Sequence, residues 1–324
     1  MSLTLAELFT SPDHYLHSFA DGAAVFVPMD REAYRRSVFL DDRIEPARTG
    51  SMRVPLDMLA GQAPAPQPTG WIFHVAHCGS TLLANALDAL GSGLVLREPF
   101  ALRQLALEPE LNHAALAIEL AMLGKAYDPA TPTLVKANVP VNFILDSIAA
   151  LEPRTPAITL YLGLEDYLCA ILRSDNHRKW LRGISAQPVL PIGAPADADD
   201  AILAAALWRA QGERFAAALR AMPNARSLDA ERFYADPGPV IAAAARQLGI
   251  AATSEAIERL VEGAVFQTYS KVPGVAFSNA DRIGRREAAL TQLAEEIAAA
   301  QSWLDDTGEP AQALQARLEG YALS

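Results

Sequence analysis

The amino-acid sequence predicts an α/β protein in three layers, with a central parallel sheet between two layers of helices. From residue 71 onward, short apolar runs alternate with stretches in which apolar residues recur every three or four positions. The first pattern is typical of buried strands and the second of helices. Their alternation favours right-handed crossovers and therefore a parallel sheet covered on both faces. An alanine-rich last third adds a helical C-terminal region.

The predicted elements follow one another in a regular order. Strands are predicted at 71–76, 93–97, 133–137, 157–162 and 225–228. Helices are predicted between them at 80–90, 113–125, 140–151, 165–175 and 199–221. The C-terminal third is predicted to form helices at 238–248, 253–262, 284–304 and 309–319.

The N-terminal part, residues 1–68, differs from the rest in composition. Short apolar runs at 23–28 and 37–40 are strand candidates, and several arginines are scattered around them. We interpret these arginines as a solvated surface. A proline-rich connector at 61–70 leads directly into the first core strand. The sequence therefore predicts an N-terminal appendage, residues 1–68, packed on a main domain formed by residues 69–324.

Composition excludes several classes of function. The 324 residues are 51% hydrophobic and carry a formal net charge of −11, which argues against a nucleic-acid partner. No apolar run reaches membrane-spanning length, and no basic segment precedes an apolar one at the N-terminus. Two cysteines give no disulfide framework. We expect a cytoplasmic protein without a membrane partner, and we predict no oligomeric state.

One segment predicts an anion site. The strand candidate that starts at Trp71 is followed by His77-Cys78-Gly79-Ser80-Thr81, and apolar residues then recur at helical spacing. The free amides at the start of this helix, together with the positive end of the helix dipole, would bind an anion. An ordinary strand–turn–helix crossover without a ligand is the alternative.

This loop is not a Walker A loop. With Gly79 as the second glycine of G-x-x-x-x-G-K-[ST], the first glycine falls on His74 and the lysine on Ser80. Because that lysine reaches the outer phosphates of a nucleoside triphosphate, its replacement disfavours triphosphate hydrolysis.

The sequence resembles the sulfotransferase family of the P-loop fold at several places in the right order, over residues 71–250. Gly79-Ser80-Thr81-Leu-Leu resembles the family's 5′-phosphosulfate loop, which usually reads Lys/Arg-Ser-Gly-Ser/Thr-Thr. Glu98-Pro99 follows the second predicted strand and Lys136 the third, as in bacterial members of the family. The segment 227–250 is similar to the family's "Y-E-D/R-L/F-x-x-D-P…L-G-I/L" pattern.

The resemblance implies a transferase that moves a sulfuryl group from 3′-phosphoadenosine 5′-phosphosulfate to a hydroxyl or amine of a small-molecule acceptor. Glu98 would then be the base that takes the acceptor's proton, or else a helix cap or a partner of Arg97. Lys136 would neutralise the phosphosulfate, or else be a solvated lysine at a strand end. His77 takes the place of the loop's cation, although histidine is charged only part of the time near neutral pH.

The resemblance also implies which residues hold the donor. The loop contributes His77, Cys78, Gly79, Ser80 and Thr81. For Ser80 and Thr81, capping of the helix is a second interpretation. Ser270-Lys271 resembles a family "S-K", and the basic residues Arg282, Arg285 and Arg286 follow it; a basic loop before a helix is the alternative. No metal ligands are expected.

The sequence departs from the family where the 3′-phosphate is usually held. The family pattern "R-[DN]-P-x-D-x-x-x-S" aligns with 162–170, and Asp166 keeps its place, but Leu162 replaces the arginine and Ala170 the serine. Arg173 and His177 lie one to two turns further on and are candidates to substitute. A non-catalytic nucleotide- or anion-binding protein on the same fold is therefore an alternative function, and a small-molecule kinase is a weaker one.

Overall fold

The structure is a computed structural model that describes residues 4–65, 67, 69–91, 93–270 and 274–324. Its strands are β1 (His14–Ala20), β2 (Ala23–Pro28), β3 (Met52–Pro55), β4 (Thr69–His74), β5 (Val95–Arg97), β6 (Thr133–Lys136), β7 (Ala157–Tyr161) and β8 (Ala225–Asp229).

The helices of the N-terminal half are α1 (Leu5–Thr10), α2 (Arg31–Arg36), α3 (Leu56–Leu59), α4 (Ser80–Leu90), α5 (Phe100–Ala106), α6 (His113–Leu123) and α7 (Leu145–Leu151). Those of the middle are α8 (Leu164–Leu172), α9 (Asp175–Ser185), α10 (Asp200–Ala221), α11 (Ala230–Ala235) and α12 (Pro237–Gln247). Those of the C-terminal part are α13 (Ser254–Val261), α14 (Ala264–Gln267), α15 (Asn279–Gln292), α16 (Ala294–Thr307) and α17 (Ala311–Glu319).

Five parallel strands form the central sheet in the order β5-β6-β4-β7-β8. One group of helices, α4, α12, α13 and α14, packs together against β4, β6 and β7. A second group packs around α10 and contacts β8. The predicted α/β class with a central parallel sheet is confirmed. Because all five strands run in one direction, the segments that follow them meet at one edge, where ligands bind in open sheets of this kind.

The middle strand β4 is the centre of the core. All six of its residues are buried, and the Trp71 and Phe73 rings stack with centroids 5.3 Å apart. The Trp71 indole N–H donates to Thr69 Oγ1 at 3.1 Å, so its polar atom is satisfied inside the core. Burial of each large apolar side chain contributes about 1.5–3 kcal/mol. This strand fixes the position of the loop that follows it.

An antiparallel sheet in the order β1-β2-β3 lies in the N-terminal part. Its Leu16 and Phe26 share an apolar cluster with Ala101 of α5 and with Ile118 and Met122 of α6. The N-terminal sheet thus packs on helices of the main part. The boundary between 68 and 69 remains a prediction.

Several predicted elements differ from the observed ones. The strand candidate at 37–40 is wrong: these residues form no strand, whereas β1 and β3 were not predicted. The predicted helix 140–151 begins as a 3₁₀ helix, Val139–Ile144, with Pro140 in its first turn. The predicted helix 284–304 is divided at Leu293 into α15 and α16. Within the described residues, none of the helices combines the length and apolar character that a membrane crossing requires.

Candidate functional site

The loop between β4 and α4 has an unusual backbone conformation. His77 has φ = 60° and Gly79 has φ = 82°, both in the left-handed region that favours glycine. A Cβ atom on Gly79 would lie only 2.5 Å from the Tyr234 hydroxyl oxygen. Glycine is therefore required at position 79 for two reasons: the positive φ of the backbone and the close approach of Tyr234.

The amides at the start of α4 have no capping side chain. Gly79 is the N-cap and makes no side-chain hydrogen bond, and Ser80 and Thr81 are the first two residues of the helix. The capping interpretation of these two residues is therefore wrong. Thr81 Oγ1 is buried, and no hydrogen-bond partner for it is found in the described part of the chain. Free amides and a buried hydroxyl at a helix start are suited to hold an anion.

A pocket of about 330 Å³ opens in front of this helix start. Its walls come from the loop, α8, α9, α11 and α15, and from Thr268, Tyr269, Ser270 and Phe277. Of the predicted binding residues it brings together His77, Gly79, Ser80, Thr81, Arg173 and Ser270. Lys271 lies outside the described residues.

Cys78 does not line the pocket. It is fully buried, and its Sγ donates to the carbonyl oxygen of Val75 at 2.8 Å. The carbonyl oxygen of Leu160 on the neighbouring strand lies 3.9 Å from the same sulfur. Cys78 thus connects the loop to the sheet through its side chain, a role different from the predicted contact with the donor.

Two arginines line the pocket close enough for their charges to interact. Arg173, directly after α8, and Arg285, on α15, both line it and are exposed. Partial desolvation, followed by the nearby positive charge of Arg285, lowers the pKa of Arg173. The Arg285 guanidinium lies 5.4 Å from the centre of the Tyr269 ring. Within the described residues, neither arginine has a carboxylate partner, so this pair is suited to hold a second anionic group.

Helix α15 is held over the pocket by ion pairs. Arg282 makes two hydrogen bonds to the Glu231 carboxylate, at 2.6 and 2.8 Å. Arg286 pairs with Asp166 and, at 3.1 Å, with Glu165 of α8. Hydrogen bonding to Asp166 raises the pKa of Arg286. The carboxylates of the pocket are thus neutralised by two arginines, which leaves Arg173 and Arg285 to attract a ligand.

Two histidine rings lie in contact with each other on the wall of the pocket. The rings of His77 and His177 have centroids 3.7 Å apart and are tilted by 31°. Nδ1 of His177 lies 2.7 Å from the carbonyl oxygen of Ala170, which can only accept, so this nitrogen carries a hydrogen. The Trp180 ring contacts His77 edge-on at 5.8 Å.

Glu98 and Lys136 lie together but do not line this pocket. Lys136 Nζ and Glu98 Oε1 are 2.5 Å apart, and the lysine side chain is only 1% exposed. Lys136 is therefore not a solvated lysine, and Glu98 pairs with it and not with Arg97, which binds Asp88. Glu98 also has a positive φ of 56°.

The N-terminal part holds this pair in place. The Leu40 amide donates to the carbonyl oxygen of Arg97 at 2.8 Å, and the Phe100 amide donates to that of Leu40 at 3.2 Å. These two bonds flank Glu98 and fix its backbone. The Phe39 ring lies 5.6 Å from Lys136 Nζ. The segment predicted as a strand at 37–40 thus forms a wall beside Glu98.

The sequence predicts no role for Tyr234, whereas it offers His177 as a candidate to replace the missing 3′-phosphate contacts and Arg285 as part of the basic segment after Ser270-Lys271. Tyr234 belongs to a segment quoted for its resemblance to the family, but its contact with Gly79 joins positions far apart in the sequence. No local pattern signals that contact. In the described part of the chain, no group of three or more His, Cys, Asp or Glu side chains is placed to hold a metal ion.

No protein-family model and no curated protein matches the chain. Solved structures that are similar to it include the sulfotransferase domain from the curacin biosynthetic pathway, with a TM-score of 0.42 and 11% identity over 71% of this chain and 98% of that one. A sulfotransferase from Alicyclobacillus acidocaldarius has a TM-score of 0.37 and 11% identity, over 77% and 99%.

A third similar structure is retinol dehydratase in a complex with retinol and PAP, with a TM-score of 0.33 and 13% identity over 78% of this chain and 88% of that one. The likeness to all three is distant.

Proposed function

We propose that this protein is a sulfotransferase that binds 3′-phosphoadenosine 5′-phosphosulfate in the pocket and transfers its sulfuryl group to a hydroxyl or amine of a small molecule. The observation that carries the proposal is that one pocket is lined both by the start of α4 and by Arg173 and Arg285, two sets of groups that are each suited to hold an anion. The donor has matching groups, a phosphosulfate at its 5′ side and a phosphate at its 3′ side.

The order of the strands supports a division of the site into a donor side and an acceptor side. The pocket lies on the β7 side of the loop, whereas Lys136 and Glu98 follow β6 and β5 on the other side. Neighbouring strands are about 4.8 Å apart, so Glu98 follows a strand about 10 Å from β4. An acceptor that sits between Glu98 and the loop would meet the donor's sulfur above the start of α4.

In the proposed reaction, the acceptor oxygen or nitrogen forms a bond to sulfur while the bond from sulfur to the phosphate oxygen breaks. The acceptor's proton goes to the Glu98 carboxylate, and the electron pair of the broken bond stays on the leaving phosphate. The α4 amides, Ser80 and Thr81 stabilise that charge. Lys136 would hold the Glu98 carboxylate in position until the acceptor arrives.

The base assignment is tested by Glu98→Gln, which keeps the shape of the side chain but removes its basicity. We expect the rate of sulfuryl transfer to fall by about 10²–10⁴-fold, because this is the usual contribution of a general base. Affinity for adenosine 3′,5′-bisphosphate should stay unchanged, since Glu98 does not line the pocket. Undiminished transfer by the variant would contradict the assignment.

A nucleotide- or anion-binding protein without catalysis is the second candidate. The ion pair between Glu98 and Lys136 favours this second function, because each of the two proposed catalytic groups is already bound to the other. A kinase is disfavoured because Ser80 stands where a Walker loop has its lysine.

Thermal unfolding with added ligands separates these functions, since a ligand that binds only the folded state raises the melting temperature. We expect adenosine 3′,5′-bisphosphate to raise it at concentrations where ATP–magnesium and sulfate have little effect. A response to ATP–magnesium alone would support a kinase. Bisphosphate binding without turnover of the donor across a panel of phenols, alcohols and amines would support the non-catalytic protein.

A further inference from the structure

The stacked histidines are unusual because either ring can carry a positive charge. A stack at 3.7 Å accommodates one charged ring and one neutral ring, but two charged rings at this distance repel each other strongly. The two rings must therefore titrate as a coupled pair and not as independent groups. His77 cannot simply turn away, because its backbone is held at φ = 60° and Trp180 contacts its ring.

His177 is held equally firmly. Its Nδ1 bonds to the carbonyl oxygen of Ala170, and its own amide donates to the Ser174 side chain that caps α9. Helix α9 is anchored in turn by Arg178, which pairs with Asp200 and Glu296. The histidine pair is thus a fixed feature at the edge of the anion site.

The surrounding charges decide how many protons the pair holds. Six charged residues line the same pocket. They are Asp166 on α8, Arg173 directly after it, Glu231 on α11, and Arg282, Arg285 and Arg286 on α15. On α9 itself, Asp175 and Lys179 flank the pair in sequence. Cys169, Tyr234 and Tyr269 also line the pocket, and desolvation raises the pKa of Cys169 to about 11 and that of Tyr234 above its ordinary value.

The balance of these charges in the free pocket is positive. Glu231 and Asp166 are paired with Arg282 and Arg286, so that, among the residues the structure describes, Arg173 and Arg285 remain without a carboxylate partner. They oppose a second proton on the histidines as long as the pocket holds no anion. An anion at the start of α4 reverses the local charge and favours that proton.

We propose that the His77–His177 pair is a proton-coupled anion clamp, which takes up a proton when an anion binds at the start of α4. The proposal rests on the proposed function only in that the anion is the phosphosulfate end of the donor. The loop then gains, on binding, the positive charge that a fixed lysine or arginine would carry permanently. Protonation uses one proton from the solvent, which is returned when the anion leaves.

Calorimetric titration tests the proposal with adenosine 3′,5′-bisphosphate as the probe. Heats measured at one pH in two buffers of different ionisation enthalpy give the number of protons taken up on binding. We expect the wild type to take up about half a proton more than His177→Gln near neutral pH. In that variant no second imidazolium repels a proton on His77. His77 is therefore more fully protonated before the ligand binds, and fewer protons remain to be taken up.

The comparison of variants removes the ligand's own contribution, because its phosphates titrate equally in both experiments. His113→Gln is the matched control, since His113 is exposed at the start of α6, and it should behave as wild type. Equal proton uptake by wild type and His177→Gln, with binding retained, would overturn the clamp while leaving the proposed function intact. Absence of bisphosphate binding would instead contradict the proposed function.

A measurement without any ligand tests the coupling itself. The imidazole signals of His77 and His177 can be followed by NMR as the pH is lowered. We expect two well-separated titration steps in the wild type and a single step for His77 in His177→Gln, shifted to higher pH than in the wild type. Independent, superimposable titrations of the two rings would overturn the proposal even if no anion bound.

Discussion

At the scale of single residues, the site depends on backbone conformations that only its surroundings can stabilise. His77, Gly79 and Glu98 all have positive φ, and two of the three are not glycine. For the two residues that are not glycine, such a conformation costs about 1–3 kcal/mol each and persists only where neighbouring contacts hold it. Here Trp180 and His177 pack on His77, and the two hydrogen bonds of Leu40 flank Glu98.

Gly79→Ala is expected to damage the anion site directly. The added Cβ would clash with the Tyr234 hydroxyl and would also be strained at φ = 82°. We expect the free energy of unfolding to fall by about 1–3 kcal/mol, measured by urea denaturation, together with loss of bisphosphate binding. Gly238→Ala on α12 is the matched control, because no atom lies within 4 Å of its added Cβ. Equal behaviour of the two variants would contradict the requirement for glycine at position 79.

A buried carboxyl far from the site makes a separate prediction. Glu119 on α6 is fully buried, and desolvation raises its pKa to about 8 although nearby Lys125 opposes the shift. Neither carboxylate oxygen has a hydrogen-bond partner among the described residues. Glu119 is therefore protonated in the folded protein at neutral pH but ionised in the unfolded chain.

The sign of the pH effect follows from these two states. Because the pKa of Glu119 is higher in the folded protein than in the unfolded chain, the carboxyl group contributes fully to stability below pH 4.5, its ordinary pKa. This contribution is lost as the pH rises toward 8, its pKa in the folded protein. Between about pH 5 and 7, we expect the unfolding free energy of the wild type to fall relative to Glu119→Gln by up to about 1.4 kcal/mol per pH unit. Lys125, whose pKa burial lowers to about 7, contributes mainly above this window. Parallel pH profiles for the two proteins would contradict the prediction.

At the scale of elements, prediction from sequence succeeded where periodicity is strong and local. Helix α4 begins and ends where the spacing of Leu82, Leu83 and Leu87 places it, and the strands of the central sheet are all present. The failures have physical causes. Residues 37–40 are apolar because Phe39 and Leu40 are buried against the main part, not because they form a strand. Apolar character reports burial, and it does not by itself report backbone conformation.

The site was predictable to the extent that its residues lie in one segment. The loop residues 77–81 were found because a strand, a small-residue turn and a helix are adjacent in the sequence. The approach of Arg285 to Arg173, and of His177 to His77, depends on how α15 and α9 pack, which no local pattern specifies.

Helix α15 carries a prediction of its own. Its Arg286 binds Asp166, which is 17% exposed, and Glu165, which is 47% exposed. Exposed ion pairs stabilise weakly, whereas a partly buried one contributes more. Asp166→Asn should therefore accelerate amide hydrogen exchange across α15, and Glu165→Gln should change it little. The same exchange rates in both variants would show that the Arg286–Asp166 pair does not hold the helix.

At the scale of the whole molecule, one edge of a parallel sheet collects groups that are widely separated in the sequence. The loop after β4 and the start of α4 line one pocket together with Arg173, which follows α8, and Arg285, which lies on α15, while Glu98 and Lys136 pair with each other after β5 and β6. The N-terminal part contributes Phe39 and Leu40 beside Glu98 and Lys136. We therefore propose, as the central claim about this molecule, that the pocket recognises a ligand with two separate phosphate-type groups.

Calorimetric comparison of adenosine 3′,5′-bisphosphate with adenosine 5′-monophosphate tests that claim most directly, because the two ligands differ only in the 3′-phosphate. We expect the bisphosphate to bind at least about tenfold more tightly to the wild type, as a charge-assisted contact to arginine contributes about 1.5–3 kcal/mol. Arg173→Gln should abolish most of this difference, whereas Arg220→Gln, an exposed position on α10, should preserve it. Equal affinity of the wild type for the two ligands, or failure of both to bind, would contradict the account.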